Sequence, residues 1–413
     1  MRQTLRSALL LRHGIFARYL RAAIPPDAGH APLLPPDRVE TILIIRLDEI
    51  GDFVLTTPFL RAIRSHYARA RITLMIKAGI GAMARACPYV DEVIELPPWR
   101  KIPPPFDQVA AYIRAKRLAR TYLMERKFQY AINPRIDIDN VAALAIPYYA
   151  RIPYRIGYGE AGLPIRKLKD AGYDGFLTHR VMPQAAVHEV VSALRVAQYC
   201  GARIKDSRLE LWPGEESRAV VDAVLAGFRQ PGRALIAMAP GASLGRRRWP
   251  IEAFASLASQ LITQFSVQIV VVGGSEDVAL GEYLIDVQSD KGRHILNLAG
   301  RLRLQETAAL LGYCAVFVGN DSGPMHMAAA MGVSCVEVSC HPVNGDPVGS
   351  NSPVRFSPWG VPHRVLQPVH ATPPCRDGCA KSYAHCITAI AVEEVFRAVQ
   401  ELLPAAESRV GLA

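Results

Sequence analysis

Residues 319–332 read Gly319-Asn-Asp-Ser-Gly-Pro-Met-His-Met-Ala-Ala-Ala-Met-Gly332, and the reading of this stretch decides the fold. The run Ala315-Val316-Phe317-Val318 before it has the character of a short buried strand. The apolar residues Met327 to Met331 behind it form the body of a helix. Between them stand a carboxylate, a hydroxyl, a glycine and a histidine: Asp321, Ser322, Gly323 and His326. A strand-to-helix turn leaves backbone N–H groups free at the helix start, where negative charge is favoured. Strand ends of this kind are where open α/β sheets bind ligands. The plainer reading is that Asp321 or Ser322 only caps the helix.

The same alternation recurs on either side. Thr41 to Ile45 reads as a buried strand, followed by a turn from Asp48 to Asp52 and a helix from Leu55 to Tyr67. Further strands are expected at Arg71 to Ile76, Val90 to Leu96 and Tyr130 to Asn133. Helices are expected around 109–125 and 187–201. Pro213-Gly214 breaks the pattern, which restarts at Ala234 to Ala239, continues at Val267 to Val272, and ends with a helix near 391–403. Such β-α-β alternation predicts parallel sheets covered on both faces. The organisation expected is a basic extension and linker over 1–38 and an α/β domain over 39–212. A second α/β domain follows over 213–387, and a C-terminal helical segment over 388–413.

A chain of 413 residues, half of them apolar, exceeds one ordinary core and suits two domains. No apolar run reaches the 18 residues of a membrane-spanning helix. The net charge of +11 favours anionic partners. Recognition-helix, zinc-finger and RNP-like patterns are absent from the sequence, so nucleic acid is not the expected partner. A membrane surface or a phosphorylated ligand is. Residues 1 to 23 carry five arginines and no acid, consistent with a basic amphipathic helix on an anionic membrane or a solvated extension. Pro25 to Pro36 reads as a linker.

Two other turns carry chemistry. In Arg46-Leu-Asp-Glu-Ile-Gly-Asp52, Gly51 permits a tight backbone and Asp52 falls at a helix N-terminus, where its charge is stabilised. Asp52 is a candidate general base for a hydroxyl brought within hydrogen-bond reach, or an N-cap. Asp48 and Glu49 are rival bases or solvent-facing charges. In Pro240-Gly-Ala-Ser-Leu-Gly-Arg-Arg-Arg-Trp-Pro250, a glycine-containing loop with three arginines resembles a diphosphate clamp. Trp249 is placed to pack on the helix that Pro250 begins.

Two patterns carry less. Gly157-Tyr-Gly-Glu-Ala-Gly162 matches G-x-G-x-x-G without a strand-turn-helix context, so it reads as a flexible loop and not a dinucleotide site. Cys375, Cys379 and Cys386, with His385, make a metal site conceivable. Their spacing is not that of a zinc ribbon, and scattered cysteines in a long chain favour free, reduced thiols.

Taken in order, the turns resemble glycosyltransferase family 9, the heptosyltransferases of lipopolysaccharide assembly. The matching pieces are Ile44-Ile-Arg46 through Gly51-Asp52 with Thr57-Pro58, Arg155-Ile-Gly157, and Pro240-Gly-Ala242 through Arg247-Arg-Trp-Pro250. Asn297-Leu-Ala-Gly300 and Asn320-Asp-Ser-Gly-Pro-Met-His326 complete the set. The resemblance covers roughly residues 40 to 400 and implies a GT-B architecture: two Rossmann-like domains facing across a cleft, with the C-terminal helix returning to the first. It implies inverting transfer from a nucleotide-diphosphate sugar, ADP-heptose among the candidates, with no cofactor or metal required.

By the match, Asp52 is the base and Arg247 stands near the donor diphosphate where the family usually has lysine. Gly241, Ala242, Ser243, Asp321, Ser322, Gly323 and His326 bind the donor, while Gly51 and Arg46 lie on the acceptor side. Arginine for lysine keeps the charge and changes its geometry. The long segment before the first strand, the acidic Asp48-Glu49 pair and the loop Pro342-Val-Asn-Gly-Asp-Pro347 also depart from the family pattern.

The sequence therefore predicts a cytoplasmic sugar transferase, peripheral on the inner membrane of a Gram-negative bacterium. It would act on a phosphorylated or lipid-linked glycan such as lipopolysaccharide core. The alternatives are a catalytically idle GT-B-like glycan-binding or scaffold protein and a sugar-nucleotide epimerase.

Overall fold

The computed structural model describes residues 31–98, 107–139, 141–160, 173–184, 186–288 and 293–404. The basic segment 1–23 and the last residues of the G-x-G-x-x-G match lie outside them.

The described chain gathers into two compact units. One is the chain up to Glu49 with Thr56–Ser207; the other is Ile50–Leu55 with the chain from Arg208. The first unit holds a parallel sheet of six strands: β1 (Thr41–Arg46), β2 (Arg71–Ile76), β3 (Glu92–Glu95), β4 (Tyr130–Asn133), β5 (Tyr154–Tyr158) and β6 (His179–Val181). The second holds β7 (Ala234–Ala239), β8 (Val267–Val271), β9 (Ile295–Asn297), β10 (Val316–Asn320), β11 (Ser334–Val338) and β12 (His363–Leu366).

Their spatial orders are β3-β2-β1-β4-β5-β6 and β12-β11-β10-β7-β8-β9. These are one topology used twice, the doubly wound order 3-2-1-4-5-6. All pairs are parallel; β1 runs in register with β2 from Thr41↔Arg71 to Arg46↔Ile76, and β10 with β7 from Val316↔Ile236 to Gly319↔Ala239. The central strands read as continuous apolar runs because both sheet faces are covered, as in α/β proteins. Ile42 to Ile45 of β1 and Ile236 to Met238 of β7 are almost wholly buried.

This topology fixes where chemistry can occur. The strand order reverses between β1 and β4 in one sheet and between β7 and β10 in the other. Ligands in open α/β sheets bind beyond the carboxyl ends of strands at such switch points. The turn after β1 carries Asp48, that after β7 carries Pro240 to Arg248, and that after β10 carries Asp321 and Ser322.

Some elements differ from expectation. The first long helix is Ile50–His66, so Gly51 and Asp52 belong to its first turn and not to the preceding loop. Asp52 is therefore not an N-cap. Strand β10 extends through Gly319 and Asn320. Gly157 and Tyr158, expected in a flexible loop, are strand residues of β5. A Cβ at Gly157 would stand 3.2 Å from the Asn133 carbonyl oxygen, so the glycine there serves close strand packing. The residues alone leave open which half takes the C-terminal helix Val392–Leu402, and the family resemblance implies a return to the first domain. It packs on the helix Ile251–Gln264 and on β10, β11 and β12, with Val395 and Val399 in the second unit's core.

Candidate active site

Within the second unit, the β7 and β10 turns meet through Asn320. This wholly buried side chain accepts from the Trp249 backbone N–H at 3.0 Å and donates to the Pro240 carbonyl at 2.8 Å. Asn320 thus ties the end of β10 to both ends of the arginine loop. Trp249 closes that loop: its ring lies edge-on to Phe254 at 5.0 Å, and its indole N–H donates to the Ile390 carbonyl at 3.1 Å. Pro250 caps the helix Ile251–Gln264.

Arg247 ends a short 3-10 turn, Gly245–Arg247, on this braced loop. Its guanidinium reaches Asp321 at 3.2 Å, the Asn351 amide oxygen at 3.1 Å and the Ser350 carbonyl at 3.3 Å. Three acceptors on two other loops hold one planar donor group, which is the means of orienting an arginine for bidentate recognition. Asp321 is 5% exposed. Burial pushes its carboxyl above the usual carboxylate range, the Arg247 charge pulls it down, and the Asp52 charge pushes it up. Asp52, half-buried in the first turn of Ile50–His66, is thus electrostatically linked to Asp321.

The turn at Ser322 is not a simple cap. Ser322 precedes the helix Gly323–Ala330 with no side-chain capping bond. Its hydroxyl donates instead to the Asn320 carbonyl at 3.1 Å. His326 is buried in that helix, and a Cβ on Gly51 would stand 2.5 Å from its Cδ2. Gly323 is similarly close to Ile50: a Cβ there would stand 3.3 Å from the Ile50 Cβ.

Of the other expected donor residues, Gly241 and Ala242 are buried directly after β7, while Ser243 is exposed. A Cβ at Gly241 would collide with the Asp277 carboxylate, so glycine makes room for that acid. Arg46 is buried in the first unit and pairs with Asp48 at 3.3 Å; Arg135 also pairs with Asp48. Asp48 is therefore occupied by two arginines and is not a free base. Glu49 is exposed and pairs with Lys77.

Four residues were not singled out by the sequence reading. Asn351 holds Arg247 from a loop 104 residues away. Glu337 is a fully buried acid on β11, opposite Gly319 of β10. Asp277 follows a second glycine loop, Gly273-Gly274, and accepts the Gly274 N–H at 3.0 Å. Asn320 was quoted without a role. The Gly-Gly pair after β8 was a readable signal for Asp277; Asn351 and Glu337 offered none.

Two doubly wound parallel units have the GT-B architecture. The chain belongs to glycosyltransferase family 9 (heptosyltransferase), whose model matches residues 121–367. It is 28% identical over 372 residues to lipopolysaccharide heptosyltransferase 2 of Salmonella typhimurium, covering 88% of this chain and 98% of that protein. Its fold is similar to a family 9 glycosyltransferase from Veillonella parvula, with TM-score 0.69 at 20% identity, covering 90% of this chain and 98% of the other. It also resembles E. coli ADP-heptose lipopolysaccharide heptosyltransferase II, with TM-score 0.62 at 22% identity, covering 88% and 98%.

Proposed function

We propose that this enzyme is an inverting transferase that moves heptose, or a closely related sugar, from a nucleotide-diphosphate donor to a lipopolysaccharide core acceptor. The observation that carries the reading is the Arg247–Asp321 pair at the β7/β10 switch point, with Asn351 fixing the guanidinium. ADP-heptose is the donor favoured by the name of the structurally similar E. coli enzyme.

In this reading the acceptor O–H bond breaks and its proton passes to the Asp52 carboxylate. The acceptor oxygen forms a bond to the anomeric carbon from the face opposite the leaving group. The bond from that carbon to the diphosphate oxygen breaks, and the nucleoside diphosphate departs with the electron pair. Arg247 donors meet the charge that develops on the diphosphate, where preorganised donors are worth most. Asp321 and Asn351 hold Arg247 ready, so little reorganisation is needed at the reaction.

We also propose peripheral contact with an anionic membrane through the first unit. The helix Asp107–Tyr122 exposes Lys116, Arg117 and Arg120 beside exposed Ile113, and exposed Met124 follows its end. Cations flanking apolar side chains suit a headgroup layer. Among the described residues, no helix is long and apolar enough to cross a membrane.

The test is turnover of ADP-heptose with a core-truncated lipopolysaccharide acceptor, read as ADP release and as the anomeric configuration of the product. The expected outcome is acceptor-dependent release with inverted configuration. Asp52→Asn is expected to lower kcat by roughly 100- to 10,000-fold, the usual worth of a general base. Retained configuration, or wild-type turnover by that variant, would overturn the mechanism.

A further inference from the structure

The segment between β12 and the C-terminal helix brings together four soft ligand atoms. The sulfurs of Cys375, Cys379 and Cys386 and a ring nitrogen of His385 all lie within 4.8 Å of one another. Two of the separations are 3.7 Å, from Cys375 Sγ to His385 Nδ1, and 3.5 Å, from Cys386 Sγ to the same nitrogen. Metal–ligand bonds of about 2.3 Å to sulfur and about 2.0 Å to nitrogen, in a tetrahedron, require edges of about 3.5 Å for S···N and about 3.8 Å for S···S. The observed sulfur–nitrogen separations are already near that edge.

Other features fit the same role. All eight cysteines are free thiols, so no disulfide accounts for the clustering. Cys379 and Cys386 are buried, and Cys375 and His385 half-buried, which shields a site without closing it. The Ala380 N–H donates to Cys375 Sγ at 3.5 Å. Backbone donors of this kind orient and stabilise ligating sulfurs. Cys87, Cys200 and Cys314, by contrast, are buried thiols outside this cluster, as expected of small apolar side chains. The sequence spacing hid the site because the ligands are not paired as in a zinc ribbon; the loop's fold brings them together.

We propose that Cys375, Cys379, His385 and Cys386 form a structural site for one thiophilic cation, zinc by its ligand set. Three thiolates and one imidazole fill a tetrahedron, leaving no position for substrate, which is the pattern of structural and not catalytic zinc. The knot braces the donor side of the second unit. A Cβ at Gly245 would stand 2.5 Å from the Ser382 carbonyl, so the metal loop lies directly against the turn that carries Arg247. The Asp346 N–H donates to the Asp377 carbonyl at 2.8 Å, tying the same loop to the 342–351 segment that carries Asn351. The site is independent of which sugar is transferred.

The test uses the full chain, purified under reducing conditions with a tag that carries no histidine. Elemental mass spectrometry is expected to find one zinc per chain. It is expected to be lost in Cys379→Ser and Cys386→Ser and kept in Cys314→Ser. Because the serine variants could fail to fold, the wild-type chain is also stripped and titrated with cobalt(II). Thiolate-to-cobalt charge-transfer bands and the intense visible bands of tetrahedral cobalt, saturating at one equivalent, support the site. A wild-type chain that holds no metal above background and gives no such bands overturns it. Metal that stays bound in the Cys379→Ser/Cys386→Ser double variant overturns it equally.

Discussion

Gly51 has no room for a methyl group, because its Cβ would meet the buried ring of His326. Gly51→Ala is expected to displace that ring and to cost about 1–3 kcal/mol of stability, the usual penalty of overpacking. Thermal unfolding checks it: an unchanged Tm would mean that the two groups are not held together. Asn351 accepts from the Arg247 guanidinium and donates through Nδ2 to Cys340 Sγ at 3.5 Å. Asn351→Ala is expected to raise the KM for the donor about tenfold or more, since a hydrogen bond to a charged group is worth roughly 1.5–3 kcal/mol. Steady-state kinetics check it: a variant with the wild-type KM and kcat would contradict the role. Arg247 and Asp321 were legible because charged residues at predicted strand ends have few structural reasons to be there. Asn351 was not, because it acts across 104 residues and only the folded chain brings it to Arg247.

Strand β11 places a carboxyl where water cannot reach it. Glu337 is opposite Gly319 in the β10–β11 register, and its Oε2 has no hydrogen-bond partner among the described residues. Burial first, then the charge of Asp321, pushes its carboxyl well above the usual range, against the Ser339 hydrogen bond and the Arg247 charge. A folded-state value above the unfolded one means that the native chain binds this proton more tightly. The stability gained is present below the unfolded carboxylate value and is lost as pH rises through the raised folded value. Glu337→Gln, which stays neutral, is expected to remove that loss. The Tm difference between variant and wild type should therefore grow in the variant's favour as pH rises from about 4.5, the ordinary glutamate range. A difference independent of pH would contradict a raised Glu337 carboxyl. At this scale the six-residue apolar strands β1, β2 and β7 were readable from their composition alone. The short β6, β9 and β12 were not: three or four residues, some polar, give no period to detect. In β11, Glu337 interrupts the apolar run.

For the whole molecule, the net charge of +11 has a local expression in the cationic helix Asp107–Tyr122. Co-sedimentation with anionic vesicles is expected at low salt and is expected to fade as the Debye length shrinks below about 8 Å. A Lys116→Glu/Arg117→Glu/Arg120→Glu variant should bind less while its turnover of a soluble acceptor is unchanged. Equal sedimentation of variant and wild type would contradict this surface. The doubled α/β architecture was legible because the strand–turn–helix pattern restarts after Pro213-Gly214. The packing of the C-terminal helix on the second sheet was not, since an amphipathic helix does not say which apolar surface it covers.

In the proposed function, the β7/β10 switch point of the second unit binds the diphosphate of a nucleotide sugar through Arg247. Calorimetric titration of ADP into the wild-type chain and into Arg247→Ala tests it most directly. One site is expected on the wild type, with an affinity roughly 10- to 100-fold weaker in the variant, the worth of charge-assisted donors to an anion. Equal affinity in the two proteins would contradict it.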